Sequence, residues 1–370
     1  MCSKCCYFTP YFYIYKHLNS YHLIQAIKLK AFYCFLLLTL LIFGCGKNEK
    51  KEITTAFYHW KSELSVGERE FNYLEECKST LLYIRCFDVK WDIENKKAIP
   101  NAKLLLDTLD TLKTDIIPVV FIENQVFVNI KTDSINSLAK NCYTLINGFF
   151  SNRKFDFQEL QFDCDWTEKT KDKYFQFLLE IIRLSKNKNL ISATIRLHQV
   201  KYFDITGIPP VDKGMLMFYN IGKLTDYNCK NSIYNENDAG KYITYIKQYP
   251  LRLDVALPLF SWGICFKSGS VFKIINQLTI KEIKLNSNFK LINNNTYIAE
   301  QSSLFRGVYF DKGDRVRVEE ISPEVCKKAA LQLGENLNSV SFTVAFYHLD
   351  SAIISIFPPN EIKNIVSTFN

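Results

Sequence analysis

Apolar runs rich in β-branched and aromatic residues alternate with amphipathic stretches along most of this chain. The β-like runs are TTAFYHW (54–60), TLLYIRCFD (80–88), DIIPVVFIEN (115–124), ELQFDCDW (159–166), LISATIRLH (190–198), GMLMFYN (214–220), LRLDVALPLFSW (251–262) and SVSFTVAFYH (339–348). Between them, AKLLLDTLDTLK (102–113), DSINSLAKNCYTLINGFF (133–150) and KYFQFLLEIIRLS (173–185) carry the i, i+3, i+4 apolar spacing of helices. SPEVCKKAALQLGENL (322–337) opens on a serine N-cap and a first-turn proline, and PNEIKNIVSTF (359–369) is a last short helix. Eight strands, each followed by a helix or a helix-length gap, predict an α/β fold of the (β/α)8 TIM-like barrel type. The stretch 279–321 breaks the rhythm with the hairpin-like NNNTYIAE and VYFDKGDRVRVEE, and is expected to be a β-rich insertion before the last strand. No G-x-G-x-x-G or P-loop pattern occurs, so no nucleotide binding is signalled and no cofactor is expected.

The pattern at the N-terminus is different. KLKAFYCFLLLTLLIFGCGKNEKKE has a basic flank, an uncharged apolar run from about Ala31 to Phe43, then Gly44-Cys45 and a polar spacer. A run this short fits a secretory signal better than a bilayer-spanning helix. Ile42-Phe43-Gly44-Cys45 resembles a bacterial lipobox, which implies a lipidated Cys45 that anchors the chain to a membrane of the cell envelope; an uncleaved anchor helix is the alternative. The expected organisation is a leader at 1–45, a linker at 46–54 and a barrel at 55–370.

Composition adds little to this and charge removes one option. At 370 residues and 48% hydrophobic, the chain has enough material for a full core. The formal net charge is +8, but Lys4, Lys16, Lys28 and Lys30 lie in an acid-free leader. The remainder has no dense Arg/Lys cluster, so nucleic acid is not an expected partner. Seven cysteines follow Cys45, an odd number without a C-x-x-C pair, and most are expected as small buried residues.

In a (β/α)8 barrel the chemistry sits at the C-terminal ends of the strands. Rare residues gather there: Trp60, Trp91, Trp166 and Trp262, and the histidines His59, His198 and His348. Alternation places Gln161, Asp163 and Asp165 on one face of the fourth strand, and Ser192, Thr194, Arg196 and His198 on one face of the fifth. Both faces are expected to point inward, with Arg196 meeting Asp163. Arg85 and Asp88 close the second strand, Glu123 and Asn124 the third, and Tyr219-Asn220 the sixth. Tyr58 joins them from the first. Carboxylates, amides and aromatic rings around one concavity suit a carbohydrate, with acids for bond cleavage and rings for stacking. A polar network that only satisfies itself inside the barrel is the alternative.

These motifs bring a family into view. QFDCDWT resembles the D-x-x-D-x-D-x-E strand of the chitinase-like (family-18-type) glycoside hydrolases, and MLMFYN resembles their Met-x-Tyr-Asp strand. The resemblance implies that Asp165 steadies an N-acetyl group of the substrate, that Tyr219 helps to position it, and that the two motifs lie on the fourth and sixth barrel strands. Three positions depart from the pattern: Leu160 stands for the first aspartate, Thr167 for the catalytic glutamate and Asn220 for the sixth-strand aspartate. A threonine hydroxyl does not protonate a leaving oxygen at working pH. One reading is therefore a glycosidase pairing Asp165 with Glu123 or Asp88, Asp163 completing the acidic set. Another is a non-catalytic glycan-binding lipoprotein on a degenerate glycosidase barrel. A third is a metal-dependent hydrolase with His59, His348 and Asp163 or Asp165 as ligands.

Overall fold

The computed structural model describes residues 51–61, 67–104, 114–151 and 157–370. The expected leader with Cys45, most of the linker, and most of the helix at 102–113 lie outside the described residues. Lys51–Asn370 form one compact unit.

Eight parallel strands close a ring. They are β1 (Glu52–His59), β2 (Leu81–Asp92), β4 (Asp115–Ile122), β5 (Glu159–Asp163), β6 (Leu190–Arg196), β7 (Lys213–Met217), β8 (Leu253–Pro258) and β16 (Ser341–Tyr347). Their order is β1-β16-β8-β7-β6-β5-β4-β2, and a β1–β2 pairing completes the circle, as the eight-run pattern predicts. An antiparallel strand β3 (Lys97–Asn101) folds back on the far end of β2. Strands β5, β7 and β8 are buried along their whole length. Burial on both faces is why they read as apolar runs with isolated polar residues rather than as clean alternation.

Around the ring lie α1 (Glu68–Glu76), α2 (Asn124–Asn129), α3 (Ile135–Ser151), α4 (Lys171–Ser185), α5 (Leu197–Lys201), α6 (Phe203–Thr206) and α7 (Glu236–Ile246). Later come α8 (Ile280–Lys284), α9 (Pro323–Gly334), α10 (Ser351–Ile354) and α11 (Pro359–Ser367). The start of α9 is built as its sequence suggests: Ser322 caps it by accepting from the Val325 amide, and Pro323 occupies the first turn. The seven cysteines are free; six are buried and Cys229 is half-buried.

Outside the ring stands a five-stranded antiparallel sheet in the order β10-β9-β15-β12-β11. Its strands are β9 (Trp262–Lys267), β10 (Ser270–Asn276), β11 (Phe289–Asn293), β12 (Thr296–Ala299) and β15 (Arg315–Glu319), with a separate hairpin of β13 (Ser303–Phe305) and β14 (Val308–Phe310). The sheet begins at Trp262, upstream of the expected position 279. The run at 251–262 breaks at Pro258: the Leu259 amide bonds the Tyr347 carbonyl, and the chain then leaves the barrel to enter β9. Cys265, Leu278, Phe289, Tyr297, Phe310 and Val316 form its own small core. Gly263 permits the tight packing, since a Cβ there would lie 2.4 Å from Leu278 Cδ2.

Candidate functional site

The barrel interior is filled in layers. At the N-terminal ends of the strands, Lys213 Nζ lies 2.7 Å from both Glu159 and Asp254. Asp254 also accepts from the Thr343 amide, and Glu159 from the Ser192 hydroxyl at 2.6 Å. Burial works against the Lys213 charge, but the two carboxylates hold its pKa above the usual lysine value. Nothing in the sequence marked these residues, because each is one charge inside an apolar run. One level up, the Tyr58 hydroxyl donates to Gln161 Oε1 at 2.6 Å, and Gln161 Nε2 reaches Ser192 Oγ at 3.3 Å. Tyr58 is fully buried and stacked on Tyr83 at 4.8 Å. It belongs to the floor of the site and does not form its lining.

Above this floor lie the carboxylates. The β5–β6 register pairs Gln161 with Ser192, and the same offset carries Asp163 to Thr194 and Asp165 to Arg196. Asp163, 8% exposed, accepts from Thr194 Oγ1 at 2.5 Å. Burial and the neighbouring Asp165 push its carboxyl up to about 6, against the pull of Arg196, Thr194 and Arg85. The partner of Arg196 is therefore Asp165, not the expected Asp163. The guanidinium grips both carboxylate oxygens, at 2.6 and 3.1 Å. Burial disfavours the Arg196 charge, and the Asp165 contacts more than offset it, so its pKa is raised.

Asp88 is also held. The β2–β4 register slips between Arg85 and Phe87, a bulge that turns Asp88 to the same side as Arg85. Arg85 Nε donates to Asp88 Oδ1 at 2.6 Å, and its Nη2 bonds the other oxygen. Glu123, half-buried at the N-cap of α2, lies 3.4 Å from Lys90 Nζ. At the motif-glutamate position, Thr167 shares a turn with Thr170: its amide donates to Thr170 Oγ1 at 2.9 Å, and that hydroxyl donates to Asn124 Oδ1 at 2.7 Å. Glu168 beside it is exposed.

Aromatic rings line one side of these groups. Trp60 meets Tyr347 at 5.6 Å and lies under the Arg85 guanidinium at 5.6 Å. Tyr347 stacks on Tyr219 at 5.3 Å and meets Phe260 at 5.8 Å; Phe260 meets Trp262 at 5.2 Å. The Tyr219 hydroxyl donates to Met217 Sδ. Tyr347 and Phe260 were not among the expected site residues. Parity on the last strand is the signal that finds Tyr347, since the β1–β16 register pairs Phe57 with Phe346 and so sets Tyr347 beside Tyr58.

Other expected members lie elsewhere. Trp166 is fully buried outside the ring, stacked on Tyr174 of α4, with its indole donating to the Thr206 carbonyl at 2.9 Å. It has the parity of Phe162 and Cys164, which face the helices. Trp91 sits on the β2–β3 ribbon beyond the ring, paired with Ala98. His198 is exposed in the first turn of α5, not at a strand end. Asn220 is exposed in a left-handed backbone conformation at φ 56°.

His59 and His348 end neighbouring strands, as adjacency of the first and last strands requires. The parity of His59 is that of Phe57, whose ring packs on Tyr73 of α1 outside the barrel. The acid near this pair is Asp350, which bonds Lys61 at 2.8 Å, Gln277 at 2.8 Å and the Ala352 amide. Burial, then the charges of Lys61 and His348, lower the His59 pKa to about 4. Asp163 and Asp165 are not the third partner, and among the described residues no cluster of three or more His, Cys, Asp or Glu could hold a metal ion.

No protein-family model and no curated protein matches this chain. Solved structures do. The Bacillus cereus spore cortex-lytic enzyme SleL aligns with a TM-score of 0.54 and 16% identity, covering 87% of this chain and 76% of that one. A chitinase from Chromobacterium violaceum aligns at 0.55 with 9% identity, over 85% of this chain and 99% of that one. The GH18 chitinase from Cycas revoluta in complex with (GlcNAc)3 aligns at 0.52 with 11% identity, over 86% and 100%. The likeness is one of architecture: the fold of this chain is a (β/α)8 barrel similar to the barrels of these enzymes.

Proposed function

We propose that this protein is a glycan-binding barrel that holds its ligand without cleaving it, tethered to a bacterial envelope membrane through lipidated Cys45. One observation carries the reading: the mouth carboxylates Asp165, Asp88 and Glu123 each face a cation, and the resemblance adds that Thr167 takes the place of the motif glutamate. Both oxygens of Asp165 and both of Asp88 accept from a guanidinium, so these carboxylates are committed to charge-assisted hydrogen bonds within the protein. The aromatic band from Trp60 to Trp262 survives beside them and offers ring faces for stacking. The neighbour captured with (GlcNAc)3 makes N-acetylglucosamine oligomers the ligand class to try first.

A specific observation favours a second reading, slow hydrolysis. Burial and the neighbouring Asp165 push the Asp163 carboxyl up to about 6, within reach of proton exchange near neutrality. Incubation of the protein with N-acetylglucosamine oligomers, followed by calorimetry and mass spectrometry, separates the two. Binding with no shorter sugars is expected. Shorter sugars that disappear in Asp163→Asn or Asp165→Asn would overturn the non-catalytic reading, and absence of binding would overturn both.

A further inference from the structure

Between the second sheet and the barrel lies a charged pair that the mouth does not use directly. Arg317 and Glu319, each 1% exposed, sit on the same face of β15. Arg317 Nε donates to Glu319 Oε1 at 2.7 Å. The remaining guanidinium nitrogens donate to the carbonyls of Leu224 at 3.1 Å, Asp226 at 2.5 Å and Tyr227 at 3.3 Å. Glu319 Oε2 accepts from the Ser232 amide at 2.8 Å, the Ser232 hydroxyl at 2.6 Å and the indole Nε1 of Trp262 at 2.8 Å. Glu319 and Trp262 are direct cross-strand partners in the β15–β9 pairing.

Such a pair is not explained by stability. Buried ion pairs exchanged for well-packed apolar residues are often neutral or stabilising, and their best-attested use is to impose one geometry. Here the geometry imposed is specific. The pair fastens the loop after β7 to the second sheet and fixes the orientation of one half-buried indole. With its N–H committed to Glu319, the Trp262 ring has one set position, edge-on to Phe260, which in turn contacts Tyr219 and Tyr347.

We propose that Arg317 and Glu319 are positioning residues that hold Trp262 as the outer stacking platform of the mouth, so that glycans long enough to reach it bind more tightly than short ones. This rests on the glycan-binding reading and adds a length preference to it. Trp262 comes from the second sheet and the inner rings come from the barrel, so the preference depends on the junction between the two.

The test compares the full-length protein with Glu319→Gln, Trp262→Phe and the double variant, using the N-acetylglucosamine disaccharide and hexasaccharide as probes. Loss of one well-placed aromatic contact corresponds to about a tenfold change in affinity. Glu319→Gln is expected to weaken the hexasaccharide by about that factor, leave the disaccharide unchanged, and add nothing in the Trp262→Phe background. The Trp262 indole N–H resonance, identified by its absence in Trp262→Phe, is expected to shift and exchange faster with water in Glu319→Gln. Should Glu319→Gln fail to fold, Trp262→Phe alone still decides, because its loss must be confined to the hexasaccharide. Equal losses for both sugars, additive effects in the double variant, or an unmoved resonance would overturn the proposal. If neither sugar binds the wild type while the resonance still responds, the carbohydrate reading and the platform fall together, and only the placement of the indole stands.

Discussion

Replacing Asp163 by asparagine tests what it costs this fold to keep a carboxylate beneath the mouth. The side chain is 8% exposed, and its carboxyl is raised from the ordinary 3.8 to about 6, first by burial and then by Asp165. The unfolded chain ionises near the ordinary value, so between these two pH values the folded state binds more protons than the unfolded one. Stability contributed by this group is therefore present in acid and lost as pH rises through 6. The gap between 3.8 and about 6 converts to about 3 kcal/mol. Asp163→Asn keeps the shape and can still accept from Thr194, but carries no charge to desolvate. The variant is expected to match the wild type near pH 4 and to exceed it by about 1–3 kcal/mol near pH 8. Urea unfolding midpoints across that range, at unchanged m-value, measure the difference. Comparison at each pH is necessary because His59 slopes the other way and cancels in the difference. Parallel curves for the two proteins through pH 5–7, or a less stable variant at pH 8, would refute the reasoning.

The remaining predictions concern other layers of the same structure. His59, lowered from 6.5 to about 4, stays neutral in the folded state while the unfolded chain protonates, so stability falls as pH drops through that window. His59→Gln is expected to remove up to about 3 kcal/mol of that acid sensitivity, read as a flatter plot of unfolding free energy against pH. Lys213→Met strands Glu159 and Asp254 inside the barrel and is expected to cost about 3–5 kcal/mol near pH 7, by denaturant unfolding. Trp60→Ala is expected to weaken N-acetylglucosamine oligomers about tenfold in calorimetry. Trp166→Phe should leave that affinity unchanged while lowering stability by about 1–2 kcal/mol through the lost bond to Thr206. Equal effects of these two tryptophans on affinity would contradict the division between mouth and outer core.

The sequence by itself determined the eight barrel strands and their order around the ring. Strand periodicity is a local property, and eight β-like runs separated by helix-length gaps leave few other architectures. Alternation also indicated which face of the fourth and fifth strands enters the interior, and Gln161 meets Ser192 there and Asp163 meets Thr194. The same parity assigns Trp166 to the helix side, although its place at a strand end suggested the mouth.

The tertiary structure decided who meets whom. Period two gives a face but not a register, and the offset between β5 and β6 assigns Arg196 to Asp165 and leaves Asp163 to a threonine hydroxyl. One irregular residue in β2 reverses parity and delivers Asp88 to Arg85, which no pattern of polar and apolar residues announces. The break at Pro258 moves Trp262 from a barrel strand to the second sheet, where Glu319, a residue distant in sequence, orients it. These contacts link residues far apart in the chain. They follow from ring closure and side-chain packing in three dimensions, which local sequence preferences do not encode.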